Sequence, residues 1–404
     1  MLIFRRNTTE TPMLDTLFPC AAVKARPSRR ASPGASFPGL ARLTLAVLGL
    51  FSLAAGPAAA AEPALRQLDI ADYRAYLAED HPVRQGMRRF ADLVQAGSGG
   101  AVRVRVRTDA LPGSPAQQIA ALQAGGADAP ALMLVAATGL AALNREFELL
   151  DLPFLLRDER QADALLDGAF GHALLARMGQ CGLVGLAWWE NGFRQLTTSG
   201  RPIRRAGDLR GLNFRVIGEP VFVEAFRAMG ANPIPLPFGQ VYEALASKQV
   251  EGQDNFYSQI LAGRLYEVQS SLSVTRHSYG AMVLVANAEA WGRLTAAQRA
   301  VLQAAAVEAG RFQRSLVRDE ARQARASLVA RGMAVNELEP SERTRLRELT
   351  QPMRDRYFGK HKDDLRRLYQ AGVGLHEQTT SGASGRETAA GTMYYKTYNW
   401  ETLK

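Results

Sequence analysis

The stretch Leu212-Asn213-Phe214-Arg215-Val216 alternates strictly, with Leu212, Phe214 and Val216 on one face and Asn213 and Arg215 on the other. That period of two predicts a half-buried strand. Such a strand delivers the Arg215 guanidinium to one defined place. A planar fork that stays charged at any physiological pH matches a carboxylate bidentately, which a lysine ammonium does not. Working outward, Trp188-Trp189-Glu190-Asn191-Gly192-Phe193-Arg194 precedes this strand and Val250-Glu251-Gly252-Gln253-Asp254-Asn255 follows it. From Gly185 to Asn287, two arginines, an asparagine and several aromatics are thus spaced as an anion-binding cleft needs them. The first expectation is a binder of organic acids.

Short strand signals alternate with helix signals along the rest of the chain. Strands are expected at 101–107, 131–136, 183–188, 213–216 and 281–286, and helices at 115–124, 157–178, 221–229 and 239–247. This rhythm predicts an α/β fold, a sheet flanked by helices. Thr295 with Gln298 forms a capping box that opens a helix running to about Arg331 and stopping at Gly332. Val301, Leu302, Ala305, Phe312, Leu316 and Leu328 give it an apolar stripe, which suits either a brace between two lobes or a surface helix of one domain.

The composition, 47% hydrophobic and 22% charged over 404 residues, is that of a globular protein with a sizeable core. Half of the formal net charge of +10 sits in residues 1–61, where Arg5, Arg6, Lys24, Arg26, Arg29, Arg30 and Arg42 face only Glu10 and Asp15. What remains includes Arg103, Arg105 and Arg107, which alternate with Val102, Val104 and Val106 as on an edge strand. No aromatics interleave with them, so no nucleic-acid partner is expected. Basic residues up to Arg42, the apolar run Leu43 to Ala55 and the small residues Ala58 to Ala61 follow the order of a secretory signal cleaved near Ala61. The apolar run is too short for a permanent membrane helix, and export implies the periplasm. Cleavage leaves Cys181 alone, an apolar core side chain. Residues 62–378 form the body. From Thr379 the chain turns Gly/Ala/Ser-rich and then crowds Tyr394, Tyr395, Tyr398 and Trp400 into an irregular tail.

Catalytic and metal chemistry is not specified. His81, His172, His277, His361 and His376 are scattered, and neither a His-Glu-x-x-His motif, a cysteine pair, a Gly-x-Ser-x-Gly elbow nor a Gly-x-x-x-x-Gly-Lys loop occurs. Neither metal nor cofactor is called for, and no enzyme is expected. Of Trp188 and Trp189, adjacent on a strand and so on opposite faces, one is expected in the interior while the other is free to lie over a ligand. Arg194 has two destinations, an ion pair with Glu190 or the cleft of Arg215.

The succession Leu152-Pro153-Phe154-Leu155, Gly192-Phe193-Arg194-Gln195-Leu196-Thr197, Arg201-Pro202-Ile203, Asp208-Leu209-Arg210-Gly211, Phe214-Arg215-Val216, Gly230-Ala231-Asn232-Pro233, Val241-Tyr242-Glu243-Ala244-Leu245, Val250 to Asn255 and Tyr266-Glu267-Val268-Gln269 resembles the solute-binding subunits of TRAP transporters, the DctP type. The likeness extends from about Gln67 to Leu375. It implies a two-lobed periplasmic-binding-protein fold with hinge strands and a long bracing helix, closing around a small organic acid and delivering it to TRAP permease membrane subunits driven by an ion gradient. By resemblance, Arg215 matches the carboxylate-clamping arginine and Asn255 the cleft asparagine. Arg194, Phe238, Trp189 and Glu190 match segments that often line the cleft. Gly218 stands where some sialic-acid binders have an asparagine, Gln240 and Asp254 stand for more usual glutamates, and Phe256 for a proline. These departures bear on which acid is taken. A sensory subunit that docks on a membrane kinase and an exported enzyme acting on a small organic acid are the alternatives.

Overall fold

The computed structural model describes residues 66–381 apart from 75, 76, 110, 127 and 362. The expected leader lies outside them, and so does the tail beyond Ser381. The last helix, Asp363–Ser381, runs three residues past the boundary expected at 378.

Among the described residues eleven strands form two sheets. They are β1 (Arg66–Asp72), β2 (Val102–Val106), β3 (Leu132–Ala136), β4 (Leu183–Phe193), β5 (Gln195–Thr198), β6 (Asn213–Val216), β7 (Asn232–Pro235), β8 (Gly252–Asn255), β9 (Ser271–Val274), β10 (Tyr279–Asn287) and β11 (Ala334–Glu337). The first sheet has the order β2-β1-β3-β10-β4 and the second β11-β9-β5-β8-β6-β7. Each is the centre of one lobe. The chain passes from the first to the second at Arg194, between β4 and β5, and returns through residues 275–278, between β9 and β10. It crosses again along the helix Ala296–Ala330, which leads into β11.

Strand β6 is buried from Phe214 to Val216, on both faces rather than one, because it lies between β8 and β7 with side chains packed above and below. Alternation therefore placed Arg215 on the correct face and gave it the wrong exposure. The helix expected over 157–178 is two helices, Glu159–Leu166 and Ala169–Arg177. Gly168 separates them, and a Cβ there would stand 2.6 Å from the Ala164 carbonyl oxygen.

The long helix begins with the expected Thr295 capping box. Its buried stripe is the expected one in part: Leu302, Ala305 and Leu328 face inward, Phe312 is exposed, and Ala306, Ala309, Gly310, Gln313, Arg314 and Val317 join the buried face. The reason lies in β4, the edge strand of its sheet. Its outer backbone groups have no strand to pair with, and unpaired buried peptide groups are costly. The helix supplies the partners at every second residue. Gln303 donates to the Leu186 carbonyl at 2.6 Å and Arg314 to that of Trp188 at 2.9 Å. Gln313 accepts from the Glu190 amide at 3.0 Å and donates to its carbonyl at 2.7 Å. Gly310 permits this approach, since a Cβ there would meet the Trp188 carbonyl oxygen at 2.9 Å. Further along, Leu328 joins Val241, Leu245, Val250 and Leu272 in the core of the second lobe. The helix is thus a brace, as one of the two expectations had it.

Replacing Gln313 by leucine keeps the volume and leaves both Glu190 backbone groups unpaired. A loss of about 2 kcal/mol or more in unfolding free energy is expected, measured by denaturant titration against the wild type.

Candidate functional site

In an open sheet with parallel strands, the carboxyl ends of the strands leave backbone groups and loop side chains free to meet a ligand. In the first lobe β1, β3 and β4 run parallel, and their carboxyl ends bring Asp72, Tyr73, Arg74, Thr138 and Asn191 to one edge. In the second lobe β6, β7 and β8 do the same with Arg215, Leu236, Phe238 and Asn255. Arg194 joins the two edges.

Arg215 is 3% exposed. Its Nε and Nη2 both donate to the Leu236 carbonyl, at 2.9 and 2.7 Å, and Nη1 bonds nothing among the described residues. No carboxylate among them lies within ion-pair distance. Burial, reinforced by the neighbouring Arg194 and opposed by Asp254, lowers its pKa to about 10. A desolvated guanidinium without a counter-charge is unfavourable unless an anion joins it.

Arg194 takes neither destination expected from sequence in full. It does not pair with Glu190; its Nε is ion-paired with Asp254 and its Nη2 donates to the Asp254 carbonyl at 2.7 Å. The guanidinium lies 4.8 Å from the Phe256 ring centre and 5.8 Å from that of Phe222. Asp254 is also met by His277 Nε2 at 3.3 Å, while His277 Nδ1 is 2.8 Å from the Thr275 hydroxyl. Despite full burial, Arg194 and His277 hold the Asp254 carboxyl well below the usual carboxylate range. Arg194 Nη1 has no hydrogen-bond partner among the described residues. Two guanidiniums share one carboxylate, so the cluster has room for one more negative charge.

Asn255 is buried beside them. Its side-chain oxygen accepts the Phe256 amide at 3.1 Å, and no described residue takes its side-chain nitrogen. Between the lobes lie two chambers of about 570 Å³ each, on either side of Asn191 and Phe256. One reaches Arg74, His81 and Glu320, the other Glu159, Arg276 and Arg318. Arg215 lines neither, so a ligand reaches its Nη1 only if the lobes part or the side chain swings.

The model of the DctP family, bacterial extracellular solute-binding protein family 7, matches residues 74–361. The chain belongs to this family. Among curated relatives, the 2,3-diketo-L-gulonate-binding periplasmic protein YiaO of Escherichia coli is 34% identical over 58% of this chain and 70% of its own. A TRAP periplasmic solute-binding protein from Ochrobactrum anthropi, solved with its C-terminus in the ligand-binding pocket, is 34% identical with a TM-score of 0.74, covering 80% of this chain and 100% of that one. The sugar acid binding protein DctPAm of Advenella mimigardefordensis, solved with galactonate, is 31% identical with a TM-score of 0.69, covering 78% and 99%. The chain is accordingly a TRAP-type solute-binding protein, with the two lobes and bracing helix that the family implies.

Of the residues expected to line the cleft of this DctP-family protein, Trp189 stands elsewhere, whereas Glu190 lines the chamber that holds Arg276 and Arg318. Trp189 is fully buried under the long helix, where its Nε1 donates to the Ala306 carbonyl at 3.3 Å. Trp188 is buried too, against Phe147 on the opposite face, so neither indole is left for a ligand. Glu190 accepts from the Tyr279 hydroxyl at 3.0 Å and from Arg318 Nη2 at 2.7 Å, in a network that continues to Asp163 and Arg314. It ties the edge strand to the brace. Phe238 is 37% exposed at the carboxyl end of β7, two residues from Leu236.

Sequence reasoning missed Asp151. It is 6% exposed; Oδ1 accepts from the Thr138 hydroxyl at 2.8 Å, and Oδ2 is buried without a partner. Burial, with Glu219 and Glu148 adding to it and Thr138 and Arg194 opposing, pushes its pKa up to about 7. The only signal was an acid directly before Leu152-Pro153-Phe154. Among the described residues no cluster of His, Cys, Asp and Glu is arranged to hold a metal ion.

Because the native Asp151 carboxyl keeps a proton that the unfolded chain releases near pH 4, its contribution to stability falls as the pH rises from about 4 to 7. Asp151→Asn should leave the ligand-free protein nearly unchanged at about pH 3.5, below both pKa values. At pH 8 it should stabilise it by about 2–4 kcal/mol, read by thermal unfolding at the two pH values.

Proposed function

We propose that this protein, exported through its N-terminal signal, captures a small organic acid between its lobes with Arg215 and Arg194 on the carboxylate, and hands it to TRAP permease membrane subunits. The observation that carries this reading is Arg215, a buried guanidinium with a free Nη1 and no carboxylate within ion-pair distance among the described residues. Arg194 offers a second free nitrogen beside it, and Asn255 an unused side-chain amide. Phe238 would cover the apolar side of the ligand. The ligands of the relatives, 2,3-diketo-L-gulonate and galactonate, support a monocarboxylate that also carries oxygen substituents.

Binding proceeds as a population shift. The lobes part about Arg194 and residues 275–278, the acid meets the arginines, and closure excludes water from the pair. Exclusion strengthens the ion pair and makes an unmatched polar group costly, which is how the site discriminates. The groups with free valences are those that bind and orient an anion, and we read the site as one for capture and release without turnover.

The test is thermal unfolding of the protein, first unfolded and refolded to remove copurified ligand, against a panel of organic acids. A cognate acid at a thousand times its dissociation constant should add about 4 kcal/mol. Arg215→Ala should fold and lose at least about a hundredfold in affinity, as expected when one partner of a buried charge pair is removed. Wild-type affinity in that variant overturns the assignment.

A further inference from the structure

The arginines account for one end of the ligand and leave open what meets the other. Among the described residues the first lobe offers Asp151, a buried carboxyl at the hinge. Asp151 stands at the end of the turn Arg145–Asp151, held by Thr138 at the carboxyl end of β3, the same edge that carries Tyr73 and Asn191. Its Oδ1 is occupied by Thr138. Its Oδ2 is buried and unpartnered, an expensive state for a carboxyl oxygen unless a donor reaches it in the working complex. The charged groups that act on it are Arg194, from the hinge, Glu219, from the loop after β6, and Glu148, on its own turn.

We propose that Asp151 is the specificity-determining residue of the cleft: its Oδ2 reads a hydroxyl of the bound acid, selecting hydroxylated carboxylates over unsubstituted ones. This rests on the carboxylate-clamp reading of Arg215. A hydroxyl fits on three grounds. It donates to an ionised carboxyl and accepts from a protonated one, so it matches Asp151 in either state, and with the carboxyl pushed up to about 7 both states occur near neutrality. A second ligand carboxylate at this place would face both Asp151 and Glu219, a like-charge contact. An ammonium would be repelled by Arg194 and could bond only the ionised form. Retaining an unpartnered carboxyl costs stability, the expected price of a polar group kept for binding.

The refolded full chain is titrated calorimetrically with acids matched in carbon skeleton: lactate and propionate, malate and succinate, gluconate and hexanoate, with β-alanine as the ammonium probe. The wild type should prefer the hydroxylated member of at least one pair. Asp151→Ala should reduce that preference about tenfold or more, because a site built to bond a hydroxyl gains little from it once the partner is gone. The affinity for the unsubstituted member should stay within about twofold. Thr138→Val, which removes only the brace, should lower the same preference by a smaller factor, and Asp151→Asn serves where the alanine variant does not fold. Equal weakening of both members, an unchanged preference, or β-alanine as the tightest ligand overturns the role of Asp151 and leaves the clamp standing. Absence of binding by the wild type to every acid overturns the clamp reading and this inference with it.

Discussion

Strand β4 ends its sheet with a row of outward-facing peptide groups, and the rest of the structure depends on how they are satisfied. No further strand covers them. The long helix does, through Gln303, Gln313 and Arg314 on the backbone of Leu186, Trp188 and Glu190. The consequences spread in both directions. The helix must lie close, so Gly310 rather than a larger residue faces Trp188 and Trp189. The strand is fixed up to Phe193, so Arg194, the next residue, leaves the first lobe at a defined point and enters the second paired to Asp254.

The geometry of the cleft follows from that crossing. Because β4 is parallel to β3 and β1, the end at which the chain crosses is also the edge where Tyr73, Thr138 and Asn191 gather. Because Gln195 pairs with Asn255, the crossing brings the carboxyl end of β8 to the same place. The nitrogens of Arg194 are therefore used differently. Nε and Nη2 hold Asp254 and so secure the second lobe at the hinge, while Nη1 bonds nothing among the described residues. Arg215 is built differently, with a carbonyl in place of a carboxylate as its partner. Among the described residues the first arginine is ion-paired inside the protein and the second is not, so the burial of Arg215 is offset only by a carbonyl and the more distant Asp254.

Electrostatics also divides the two faces of the hinge. Glu190, Asp163, Asp167, Arg314 and Arg318 form a network of ion pairs that locks the brace to β4. The neighbouring cluster of Arg194, Arg215, Asp254 and Asp151 is left incomplete, with free donors on the arginines and a free acceptor on Asp151.

The sequence by itself determined the elements whose causes are local: the alternation that makes β6, the Thr295 capping box and Gly332 that bound the long helix, the α/β rhythm, and Arg215 as the residue of a strand that presents a guanidinium. The ordered motifs determined the family. What only the tertiary structure decided is where shared side chains are spent. Glu190 and Arg194, four residues apart, look like partners along the chain, but the strand turns Glu190 toward Arg318 and the crossing turns Arg194 toward Asp254. Trp189 looks like a cleft aromatic, but the helix covers it because the β4 edge needs the helix. Asp151 carried almost no sequence signal, since the burial and the perturbed carboxyl of an acid before Leu152-Pro153 arise only when Thr138 and Arg194 are brought to it from other elements. Local periodicity records which face a residue lies on. Which neighbour that face meets is settled by long-range packing, and the chemistry of a buried charge depends on the neighbour.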